Sequence, residues 1–148
     1  MAPPFVLVHG AWHAGACWRP LIEELDRRGE RAIAPDLPCE DPEATLDDCA
    51  QAVVDAAAGF DEPVVVVGHS LGGLTVPLVP ERRPVAALVF VAAILPVPGQ
   101  LPGATLGSDA FSEGYDELAV QQVAEANGAS SWPRDAAIAA FYHDVPEP

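Results

Sequence analysis

The sequence predicts an α/β protein built on a parallel sheet of about four strands with flanking helices. Two observations lead there. Short, wholly apolar runs alternate with helical stretches, and such runs suit parallel strands covered on both faces. The third run, Val64-Val65-Val66-Val67, leads without a break into Gly68-His69-Ser70-Leu71-Gly72, a sharp strand-to-helix turn centred on a serine.

Phe5-Val6-Leu7-Val8 is the first strand, and His9-Gly10-Ala11-Trp12 is the loop that follows it. A helix starts near Pro20, a residue tolerated in a first turn, and stops at Gly29. Leu21, Ile22 and Leu25 share its inner face. Arg31-Ala32-Ile33-Ala34 reads as the second strand, closed by Pro35-Asp36-Leu37-Pro38. Thr45, with Asp48 three residues on, forms an N-cap pair. The helix it opens sets Leu46, Ala50, Val53, Val54 and Ala57 along one stripe and ends at Gly59. The helix after Ser70 carries Pro77, which kinks it or cuts it short. Val85 to Ala93 is the fourth strand.

The alternation stops near Ile94. Pro96, Pro98, Gly99, Pro102 and Gly103 mark a change of composition. Helical patterns follow around Tyr115–Asn127 and Asp135–Tyr142, joined by Gly128 to Pro133. The expected division is a core over residues 1–95 and a partial helical cap over 96–148.

Composition narrows the function classes. A chain of 148 residues fits one domain by the usual length prior, and with half of them hydrophobic it can bury a core. No stretch reaches the roughly 20 apolar residues of a membrane span. No basic region precedes the first apolar segment, so a cytoplasmic location without a membrane partner is expected. A net charge of −15, with seven basic residues that are all arginine, argues against a nucleic-acid partner. That acidity serves solubility. Cys17, Cys39 and Cys49 show no C-x-x-C spacing and have no histidine at ligand spacing, so they read as reduced thiols. Neither a metal nor a cofactor is expected.

The chemistry concentrates at Ser70. A serine hydroxyl is a weak nucleophile unless it is exposed to substrate and deprotonated by a nearby base as it attacks. The sharp turn supplies the exposure, and Gly68 and Gly72 flank it where side chains would collide. The helix opening at Leu71 points its free N–H groups and the positive end of its dipole at the reaction centre. The Leu71 N–H is the expected oxyanion donor. The Ala11 N–H, from the loop after the first strand, is the second, with Gly10 letting that loop close on the substrate. Removing one such donor costs on the order of 100-fold in rate. His9 and His69 read as loop-structuring groups, and His13 as a residue of the pocket rim. Trp12 and Trp18 are either packing residues or substrate contacts, so Trp12 and His69 stand as pocket candidates. Asp36 reads as a cap on local backbone. Gly72-Gly73 is not a phosphate loop, because no Lys-Ser/Thr follows it.

With these residues in hand, the chain resembles the α/β-hydrolase superfamily, in the branch of plant salicylate methyl-ester esterases and hydroxynitrile lyases with their bacterial relatives. The matching stretches are Phe5 to His13, Cys17-Trp18, Ala34 to Pro38, Val67 to Gly73, Leu88 to Ala93, and Phe141-Tyr142-His143-Asp144 in the cap. The resemblance implies hydrolysis of a small carboxylic ester through an acyl-enzyme on Ser70. Lyases of the branch carry Thr where this chain has Gly10 and Glu where it has His69, so both positions are esterase-like. The family also implies a triad acid and histidine after Ser70. His143 is the one histidine there, with Asp144 directly beside it. The chain is therefore expected to be C-terminally truncated and weak or inactive alone, with a non-catalytic binding module or a lyase-type activity as alternatives. The strand over 85–93, meant for a sheet interior, becomes an apolar edge that invites self-association.

Overall fold

The computed structural model describes residues 2–100, 120–126 and 128–145. It divides into two compact units, Met1–Pro98 and Gly99–Pro148.

The first unit holds a four-stranded sheet of β1 (Phe5–Val8), β2 (Ala32–Ile33), β3 (Val64–His69) and β4 (Val85–Val91) in the order β2-β1-β3-β4. Every pairing is parallel. The β1–β3 register runs from Phe5 opposite Val65 to Val8 opposite Gly68. The β3–β4 register slips at Val64/Val65 and then runs to His69 opposite Val91. β1 and β3 are therefore central, and both end at the same edge of the sheet. The apolar runs fold as strands because the two central ones are almost wholly buried.

Helix α1 (Arg19–Arg27) starts one residue before Pro20 and is followed by Gly29 at φ 77°. Leu21 departs from the expected inner face: it is 39% exposed, and Ile22 and Leu25 are half-buried. α2 (Leu46–Ala56) has the expected reciprocal cap. The Asp48 amide donates to the Thr45 hydroxyl, and the Thr45 amide donates to the Asp48 carboxylate at 2.8 Å. Hydrogen bonds from the Thr45 hydroxyl and amide hold the Asp48 carboxyl below its usual range. The helix tightens into a 3-10 turn over Ala57–Gly59. Its stripe meets the sheet in one core of Val6, Val8, Val53, Ala57, Val64, Val66, Val76 and Val79. Arg83 ties the helix end to the strand that follows, donating to the carbonyls of Ala57, Phe60 and Glu62.

After Ser70, α3 (Gly72–Thr75) lasts a single turn and becomes a 3-10 helix over Val76–Glu81. Pro77 and Pro80 remove the amide donors that an α-helix would need there. β4 ends at Val91, two residues earlier than the apolar run suggests, because Ala92 turns to φ 42°.

In the second unit, Val123–Ala124 form strand β5, antiparallel to β6 (Ser130–Ser131). The helix expected over Tyr115–Asn127 is thereby corrected at its C-terminal end. Its residues 115–119 and 127 lie outside the described residues. A Gly128 at φ 84° closes the hairpin, and this local turn overrides the helical pattern. α4 (Arg134–Phe141) agrees closely with the helix expected over 135–142.

Candidate active site

Ser70 sits where β3 stops being extended. Its backbone is left-handed at φ 50°, a conformation that costs a non-glycine residue on the order of 1–2 kcal/mol. Bonds from two directions hold it. The Ser70 carbonyl accepts from Gly73 N at 3.0 Å and from Ile94 N at 2.9 Å, while the Ser70 amide donates to the Val91 carbonyl at 3.3 Å. The end of β4 and the first turn of α3 therefore clamp the residue together. Space is equally tight: a Cβ on Gly68 would lie 2.8 Å from Val76 Cγ1, and one on Gly72 would lie 2.8 Å from the His9 carbonyl oxygen. The side chain remains half-buried. No side-chain hydrogen bond engages the Ser70 hydroxyl among the described residues.

The loop after β1 meets Ser70 at Gly10. A Cβ there would stand 2.8 Å from Ser70 Cβ and 3.3 Å from His69 Nδ1. Gly10, Ser70 and His69 are thus brought together. The loop carries its own backbone distortion, with Trp12 at φ 58°. Trp12 is also 41% exposed, so it is no core residue. Two unusual non-glycine conformations at facing turns are the kind of strain found where function requires it. The Ala11 and Leu71 amides have no hydrogen-bond acceptor among the described residues.

Three histidines surround this junction in different ways. His9 is buried, with Nδ1 2.8 Å from the Gly10 carbonyl oxygen and Nε2 accepting from the Leu37 amide at 3.0 Å. His13 Nδ1 donates to the Ala11 carbonyl at 2.8 Å. The His69 ring meets the rings of Trp18 and His13 edge-on, at 6.2 and 6.3 Å between centroids. Burial, and secondarily the charge of His13, hold the His69 pKa below its usual 6.5. Asp36 caps backbone, its carboxylate accepting from the Gly15 amide at 2.7 Å.

No local pattern marks the Leu37 amide's part, because the bond joins two loops 28 positions apart; only the His-Gly pair at a strand end points to His9. His143 and Asp144 lie just past α4 in the second unit and are exposed. The cysteines are unpaired, Cys17 and Cys39 exposed and Cys49 half-buried, and partial burial raises all three thiol pKa values. No group of three or more metal-ligating side chains occurs among the described residues, and none of the described helices is long and apolar enough to cross a membrane.

A serine on a left-handed bend between a parallel strand and a helix defines the nucleophile-elbow class of α/β proteins. The chain belongs to the alpha/beta hydrolase family, whose family model matches residues 5–148. It is similar to the "Probable esterase PIR7A" of Oryza sativa subsp. indica, 41% identical over 113 residues that cover 69% of this chain and 43% of that protein. It is also similar to salicylic acid-binding protein 2 of Nicotiana tabacum, 37% identical over 103 residues, covering 62% of this chain and 40% of that protein. Among solved structures, a pyrethroid hydrolase from Sphingobium faniae superposes with a TM-score of 0.80 over 99% of this chain and 63% of that one, at 24% identity. That likeness carries the fold. The chain spans about two-fifths of the length of the curated relatives it matches.

Proposed function

We propose that this chain carries the nucleophile and oxyanion site of a serine hydrolase acting on small carboxylic esters. The observation that supports this best is the left-handed Ser70 at the end of β3, packed against Gly10 so closely that a side chain at residue 10 would collide with it. In this reading Ser70 Oγ attacks the ester carbonyl, and the carbonyl electrons move onto oxygen. The Ala11 and Leu71 amides, which have no acceptor among the described residues, bind that oxyanion. Collapse expels the alcohol and leaves an acyl-Ser70, which water then hydrolyses. Gly68 and Gly72 make room for the turn. Trp12 and His69 border the acyl or alcohol group.

Deprotonation is the weak step. His143 and Asp144 are chain neighbours in the second unit, and adjacent residues do not readily supply both a serine-facing base and the acid that orients it. Without a paired base, only the contribution of the oxyanion site and of binding remains. We therefore expect acylation by activated esters and slow or undetectable turnover of ordinary ones. A time course with 4-nitrophenyl acetate, read by intact mass, tests this. Acetylation of the wild-type chain and none of Ser70→Ala supports the reading; equal acetylation of both overturns it.

A non-catalytic binding role is favoured by one observation, the hydroxyl of Ser70 without a hydrogen-bonded base among the described residues. Saturable binding of an ester with no Ser70 acylation would select it. Lyase chemistry is disfavoured by Gly10, which offers no hydroxyl. The exposed edge of β4 is the proposed surface for self-association.

A further inference from the structure

We infer that His9 is a positioning residue that aims the Ala11 amide at the oxyanion; this rests on the serine-hydrolase reading above. Both ring nitrogens of His9 are occupied, and their partners fix the tautomer. The Leu37 amide can only donate, so Nε2 holds a lone pair toward it at 3.0 Å. The ring proton is therefore on Nδ1, where it donates to the Gly10 carbonyl at 2.8 Å.

That carbonyl belongs to the same peptide plane as the Ala11 N–H. The Gly10–Ala11 peptide bond is trans, like every one among the described residues, so the Gly10 C=O and the Ala11 N–H point in opposite directions from one rigid plane. Holding one end with a buried imidazole fixes the aim of the other. Turning the plane over would leave the Nδ1–H of a wholly buried ring without a partner. The bonds also run in one direction: Leu37 N–H to His9, His9 N–H to Gly10 C=O, and Ala11 N–H outward. Each donor in such a chain polarises the next and strengthens the last. His13 holds the following plane through the Ala11 carbonyl, and Trp12 takes the left-handed turn just beyond. The loop after β2 is thereby made part of the support for the site, through Leu37, without touching substrate.

A purely structural His9 is the competing account, and two isosteric variants separate them. In His9→Asn the amide nitrogen sits near the Nδ1 position and can donate to Gly10 without reaching Leu37. In His9→Gln the amide oxygen sits near the Nε2 position and can accept from Leu37 without serving Gly10. Each leaves one half of the arrangement unmet, so each loses stability. We expect His9→Asn to acetylate Ser70 from 4-nitrophenyl acetate within about threefold of wild type, and His9→Gln to be about tenfold slower or worse, at temperatures where both are folded. Rates that follow melting temperature, or His9→Gln matching His9→Asn, overturn the inference. A second measurement needs no variant: long-range proton–nitrogen NMR of the wild-type chain reads which ring nitrogen of His9 carries the proton. An Nδ1–H is required, and an Nε2–H overturns the inference even if neither variant folds. Ser70-dependent acetylation with no discrimination at His9 sinks this inference alone. Acetylation that ignores Ser70→Ala, or wild type that is never acetylated there, sinks the serine-hydrolase reading and this one with it.

Discussion

β3 and β4 are neighbouring strands, both rich in valine, with opposite surroundings. Val64, Val66 and Val67 are buried, whereas Val89, Phe90 and Val91 on β4 are about 40% exposed. The difference is one of position. β3 lies between β1 and β4 with α2 and the 3-10 segment against it, while β4 has β3 as its one strand partner among the described residues. An apolar run announces a strand, but only the sheet order says whether that strand is covered. The covered strand leads into Ser70, and the open one contributes the Val91 carbonyl that, with the Ile94 amide just beyond its end, braces that residue.

The sharpest way to break this comparison is to place the same charge on each strand. Val66→Asp buries a carboxylate in the core with no partner, and we expect a loss of about 4–5 kcal/mol or more, enough to prevent folding. Val89→Asp should stay within about 0.5 kcal/mol of wild type and shift any self-associated population toward monomer. Urea titration and size-exclusion chromatography read the two effects. Equal destabilisation would mean that β4 is as enclosed as β3.

The strand ends differ as well. A Cβ on Gly68 meets Val76 Cγ1 and the Gly72 carbonyl oxygen, at 2.8 and 3.0 Å. Gly68→Ala should therefore cost about 1–3 kcal/mol and slow Ser70 acetylation. At the end of β4 the strained residue is Ala92, at φ 42°. Ala92→Gly removes a left-handed alanine and should be neutral or stabilising by about 1 kcal/mol. Opposite signs in thermal melts are the expected result. A smaller effect belongs to the helix that covers β3: Thr45→Ala removes the hydroxyl half of the α2 cap and should cost about 1 kcal/mol, leaving the acetylation rate unchanged.

Most of the first unit was legible because its signals are local. The valine run, the Thr45–Asp48 cap and the proline at residue 77 each act within a few residues, and each element appears where these place it. Ser70, Gly10 and His69 could be singled out for the same reason, being fixed by strand ends. What escaped depended on distant partners. Leu21 lies outward because the packing of α1 beside β2, not its periodicity, decides which side is covered. The bond from Leu37 to His9 spans 28 positions, so neither residue advertises it. β5 escaped because a two-residue strand leaves no period to read, and the turn at Gly128 decides its pairing.

The last rung of the two strands, His69 opposite Val91, gives the finest test. Desolvation first, and the charge of His13 second, lower the His69 pKa below 6.5. The folded chain then binds fewer protons at His69 than the unfolded chain does, so stability rises with pH across that interval. The contribution is fully present above pH 6.5 and is lost as pH falls through the lower folded value. Because the ring is only half-buried, solvent screening keeps the effect small. Thermal melts from about pH 8 to pH 5 should show wild type losing more stability on acidification than His69→Gln. Val91→Ala, on the open strand, should keep the wild-type slope while lowering the whole curve. Parallel profiles for wild type and His69→Gln would place His69 in water and erase the contrast between the two strand ends.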